Sequence, residues 1–139
     1  MVNVWRGERR IESDGGEAVI AITHDGIAAM MDALKVRSAN ELIMAIATLD
    51  VRAIRKAVGA CETVSGDPAA VVSGARGAAG LDAIADNLIG MIKGQTPEEQ
   101  QAEKERLAAL EETRAVLAVR SAMAEILREI RETPTRSNG

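Results

Sequence analysis

Apolar positions along the chain first repeat with a period of two and then switch to a helical period. Residues Val2–Glu12 and Glu17–Ile22 read as two strands. In the second, Ala18, Ile20 and Ile22 alternate with Val19 and Ala21, so both faces are fairly apolar and at least one must be covered. Asp14-Gly15 lies between the runs and tolerates the positive φ that a tight hairpin needs. A lone hairpin is marginal in water, so helices or another chain must cover it.

Helical signals follow. Thr23 is a good N-cap, and Asp25 sits in the first turn, where the helix dipole favours a carboxylate. Ile27, Met30, Met31 and Leu34 then share one face. Ser38 and Glu41 make a capping-box pattern ahead of Leu42, Ile43 and Ile46. Asp50 caps a third helix, with Val51, Ile54 and Val58 along one side.

Thr63–Pro68 reads as a breaker that closes a first domain, 1–68, built from the hairpin and short helices. Beyond it, Gly74, Gly77 and Gly80 recur at every third position, with neither GxGxxG nor GK[ST] to hold a phosphate. A flexible linker or a weak, closely packed helix is expected there. Leu81, Ile84, Leu88, Met91 and Ile92 return to helical spacing, so residues 69–95 form a Gly-rich connector and helix.

Thr96-Pro97-Glu98-Glu99 combines an N-cap, a first-turn proline and the carboxylate of a capping box. No Pro or Gly follows before Pro134, which predicts one helix over Pro97–Glu132, roughly 54 Å long. Its second part carries Val116, Val119, Met123, Ile126 and Ile130 at heptad-like spacing, widened by Leu117 and Leu127. The third region, 96–139, is therefore a long amphipathic helix with a frayed tail from Thr133. The fold class is α+β, mostly α: an N-terminal β-hairpin, a cluster of short helices and a long C-terminal helix.

Composition narrows the function. The sole aromatic residue is Trp5, so the core of this 139-residue chain is aliphatic. The net charge of −4 argues against nucleic acid as main partner, since phosphates call for clustered Lys and Arg. Arg6, Arg9 and Arg10 interleave with Glu8 and Glu12, which reads as a solvated strand edge. The lone Cys61 has no disulfide partner, no apolar run approaches the roughly 20 residues of a membrane span, and a signal-peptide core is missing. The expected setting is cytoplasmic.

Chemistry is sparse. His24 is the one histidine, and Cys61 lacks a CxxC partner, so neither belongs to a local zinc or nucleophile pattern. The adjacent pairs Glu98-Glu99 and Glu111-Glu112 diverge on a helix and read as a solvated face. No catalytic residue, cofactor or metal is expected. The apolar faces at Met30, Met31 and Leu34 and at Val116, Val119, Met123, Ile126 and Ile130 are the expected partner-binding residues.

Residues 1–68 resemble the tail assembly chaperone family of gene transfer agents and related long-tailed phages. The resemblance rests on Asn3-x-x-Arg6-Gly7-Glu8, the Asp14-Gly15 turn and Ile22-Thr23-x-Asp25-Gly26-Ile27-Ala28. Leu34-Lys35-Val36, the Ser38…Glu41-Leu42 helix start and Asp50-x-Arg52-Ala53-Ile54 continue it in the same order. It implies a non-enzymatic protein of the bacterial host cytoplasm that binds the tape measure protein, and with it tail-tube protein, during tail morphogenesis. Residues 69–139 have no assigned counterpart in that family. A structural virion subunit, of the tail tube or connector, is the alternative, and a second copy of the chain is a further expected partner.

Overall fold

In the computed structural model of the protein, which describes residues 7–132, the two expected strands form a hairpin. β1 (Glu8–Ser13) pairs antiparallel with β2 (Gly16–Ala21), setting Ile11 opposite Ala18 and Arg9 opposite Ile20. The earlier part of the expected first strand, Val2–Arg6, and the tail from Thr133 lie outside the described residues. One face of the hairpin is buried, carrying Arg9, Ile11, Ala18 and Ile20. The opposite face is mixed: Arg10 and Glu17 form an ion pair at 3.8 Å, beside half-buried Val19 and buried Ala21. The expectation of at least one covered face holds.

Three helices follow: α1 (His24–Leu34), α2 (Ala39–Ala47) and α3 (Val51–Ala60). Each is started by the residue whose chemistry marked it. Thr23 Oγ1 accepts from Gly26 N, Ser38 Oγ from Glu41 N, and Asp50 Oδ1 from Arg52 N. The Glu41 carboxylate accepts from Arg37 N at 2.8 Å, a residue before the reciprocal partner that a capping box uses. In α3 the buried side is Ala53, Ile54, Ala57 and Val58, whereas Val51 is exposed.

The segment read as a breaker contains a strand. β3 (Glu62–Gly66) adds to β2 antiparallel, giving a sheet in the order β1-β2-β3. Thr63 pairs with Ile20 and Ser65 with Val19, so Val64 is the extra residue of a bulge. All five residues of β3 are exposed, which is why no alternation marks it in the sequence. Asp67 then caps α4 (Pro68–Ser73), with Pro68 in the first turn.

The chain divides into two compact units, Met1–Gln100 and Gln101–Gly139. α4 packs on β1 and β2, and α5 (Gly77–Ile92) on β1, α2 and α3. Val71, Val72, Ile84, Ala85, Leu88 and Met91 lie in the same core as Ile11, Ile20, Leu42, Ile46 and Ile54. Full burial of such a side chain is worth about 1.5–3 kcal/mol, enough to hold α4 and α5 as body rather than linker. The Gly-rich stretch divides between the two readings: Gly74, Ala75 and Arg76 form a short non-helical connection, and Gly77 opens the exposed first turn of α5.

The glycines at 15 and 74 serve close approach. A Cβ on Gly15 would run into the Ala70 carbonyl, and one on Gly74 into the backbone of Gly15. Positive φ falls on Gly16 (φ 120°), not on the expected Asp14-Gly15 pair. Ser13 Oγ donates to Val71 O at 2.6 Å and accepts from Gly15 N, fastening the turn to α4.

α6 (Pro97–Glu132) has the bounds the sequence predicts, and the Thr96 side of the expected capping box forms, Thr96 Oγ1 accepting from Glu99 N at 3.1 Å. The fold is thus α+β and mostly α. Among the described residues, no helix is long and apolar enough to cross a membrane.

Candidate functional site

Among the described residues, most of the exposed large hydrophobic side chains lie on α6. Val116, Val119, Met123, Ile126 and Ile130 are 45–65% exposed, and no residue of α6 is buried. Their spacing sets them along one side of the helix, with Leu127 beside them. Past Gln100, Gln101 Nε2 donates to Glu105, Thr113 Oγ1 to Ala109 O, and Arg128 pairs with Glu125. Such exposed i,i+3 and i,i+4 pairs contribute only tenths of a kcal/mol each. Among the described residues, none covers this stripe.

The other expected binding face is corrected. Met30 is 0% exposed and sits in the core, and Met31 and Leu34 are half-buried against it. The amphipathic pattern of α1 is satisfied by α2 and α3, which pack against it. Met30 is therefore unavailable to a partner, and Met31 and Leu34 offer only their outer edges.

Arg9 is a second correction. It is 4% exposed, not part of a solvated edge. Its Nη1 donates to Asn87 Oδ1 at 3.1 Å and to Gln100 Oε1 at 2.8 Å, while Nη2 donates to Gln95 O at 2.7 Å. Gln100 Nε2 passes the chain on to Asp86 O at 2.6 Å. A Cβ on Gly90 would run into the Gln100 amide and Arg9 Nη2, so glycine there leaves room for both. Burial lowers the Arg9 pKa, and the charge of Glu98 opposes that shift. The guanidinium stays charged at neutral pH. Its direct acceptors here are neutral oxygens from α5, the α5–α6 loop and α6. The usable signal was period: Arg9 is in phase with Ile11, so a buried first face carries it inward.

His24 is exposed at the start of α1 and lines an open cleft of about 320 Å³ with Glu8, Arg9, Ile27, Met91 and Thr96. Thr23, also in its wall, spends its hydroxyl oxygen on the α1 cap. Cys61 is buried, its Sγ donating to Ala57 O at 3.5 Å, and burial pushes the thiol up to about 12. A thiol held protonated in this way is a poor nucleophile at neutral pH. Among the described residues, no cluster of His, Cys, Asp or Glu has the grouping to hold a metal ion.

No protein-family model, curated protein or solved structure matches the chain.

Proposed function

We propose that the chain is a non-enzymatic tail assembly chaperone that binds the tape measure protein in the cytoplasm of the bacterial host. The observation that carries this reading is the α6 stripe, five apolar residues at heptad-like spacing left 45–65% exposed. Soluble proteins rarely leave such contiguous apolar surface uncovered unless a partner uses it. The 3.5-residue repeat fits another helix, seated as knobs into holes. Met123, at the middle of the stripe, is flexible and polarizable and so tolerates varied partner sequences. The resemblance of residues 1–68 to tail assembly chaperones supplies the partner's class: a long protein whose apolar helices need cover until tail-tube subunits enclose it.

Mass action suffices as mechanism. Binding the unassembled partner lowers the concentration of its aggregation-prone form, and polymerising tube protein competes the chaperone away. The test is co-expression with the tape measure protein, comparing the native chain with the M123D/I126D variant. Expected is soluble tape measure protein with the native chain and loss of that solubility with the variant, circular dichroism showing the variant folded. Equal solubility with both would overturn the reading. So would finding the chain at stoichiometric amounts in purified particles, the mark of a tail-tube or connector subunit.

A further inference from the structure

We infer that Arg9 and Gln100 form the nucleus from which α6 propagates, so that the stripe is displayed as a helical seam only once the hairpin and its helices have folded. Starting a helix is the costly step, with a nucleation constant of about 10⁻³, whereas each later residue adds a hydrogen bond. Most helices recover that cost by burying an apolar face, and α6 buries no residue.

What α6 has is a first turn held from outside. Gln100 N bonds to Thr96 O at 2.9 Å, closing the first helical ring, and Glu99 N bonds to Thr96 Oγ1. The Gln100 side chain is gripped by Arg9 at 2.8 Å and by Asp86 O at 2.6 Å, and Arg9 also holds Gln95 O, just ahead of the cap. Both ends of that turn are thus positioned by β1 and α5, elements that form by folding of the hairpin domain. The residue that starts the helix lies 91 positions away from it in sequence. Local capping at Thr96-Pro97 marks where the helix begins; Arg9 holds the turn in place. Gating of the display matters to function only if the stripe is the binding surface proposed above, whereas nucleation is a property of the free chain.

The test is Gln100→Ala in the full chain, read by residue-resolved hydrogen exchange. Alanine is the better helix former, so intrinsic propensity alone predicts slower exchange in α6. Loss of the nucleus predicts the opposite sign: exchange over residues 101–112 at least about tenfold faster, as expected for losing a hydrogen bond to a charged group. Amides of α2, α3 and β2 should not change. Gly90→Ala is the second variant, because its Cβ displaces the Gln100 amide while improving α5, and it should act on α6 in the same direction. Unchanged or slower exchange in α6 would overturn the inference. Equal acceleration throughout the hairpin domain would also overturn it, since that marks a contact serving global stability alone. Failure of the M123D/I126D solubility test would leave these outcomes untouched.

Discussion

Replacing Gly15 by alanine should pry the hairpin turn away from α4. The added Cβ would meet the Ala70 carbonyl and lie 3.1 Å from Gly74 Cα, all of it backbone that no rotamer change can clear. φ at Gly15 is not positive, so the cost is purely one of contact. Overpacking costs about 1–3 kcal/mol, and the upper end applies because α4 must move as a body. The same movement stretches the Ser13–Val71 hydrogen bond, itself worth about 1 kcal/mol. A loss of about 3 kcal/mol lowers the Tm of a domain of this size by roughly 12–24 °C, measurable by scanning calorimetry of the full chain. Gly74→Ala should cost a similar amount, since its Cβ would run into Gly15. The double variant should cost far less than the sum, because one widened gap accommodates both methyl groups. A Gly15→Ala loss below about 0.5 kcal/mol, the usual effect of a surface change, would refute the reasoning. So would rescue by Ala70→Gly, which leaves the obstructing carbonyl in place.

Other outcomes follow from burial. Cys61 should resist thiol reagents at neutral pH in the native chain and react at a rate set by urea-induced unfolding. Its folded pKa is raised from 9.0 to about 12, so the folded state holds the proton more tightly. The stability this supplies is fully present below the unfolded pKa and is lost as pH rises towards the folded one, by up to about 1.4 kcal/mol per pH unit. Cys61→Ala should flatten that alkaline slope in urea titrations taken from pH 8 to pH 11. Met30→Ala should cost about 2–5 kcal/mol by opening a cavity in the core. Met123→Ala should stay within about 0.5 kcal/mol of the native chain, because the side chain is exposed. Equal losses at the two positions by urea denaturation would contradict Met30 being buried and Met123 exposed.

The helices were legible because their signals are local. Thr23, Ser38, Asp50 and Thr96 each bind a backbone N–H two or three residues away, so sequence neighbours alone specify where those helices start. α6 could be read end to end for the same reason, between one capping box and the proline that follows it. The first hairpin was legible from its alternation. β3 was not, because an edge strand with every residue exposed has no burial pattern to display. Met30 and Met123 make the harder case. Both lie on amphipathic helices at helical spacing, yet one is in the core and the other in solvent. Periodicity reports that a helix has an apolar side and is silent on whether the cover comes from the same chain. Arg9 and Gly15 belong with them, since each meets its partners through long-range packing: Arg9 across 78 to 91 positions, and Gly15 against Ala70 and Gly74. Their neighbours in sequence, a charged strand and a turn dipeptide, point to solvent and to positive φ. What overrides both is the arrival of α4 and α5 on the hairpin, an event decided by how the whole aliphatic core packs.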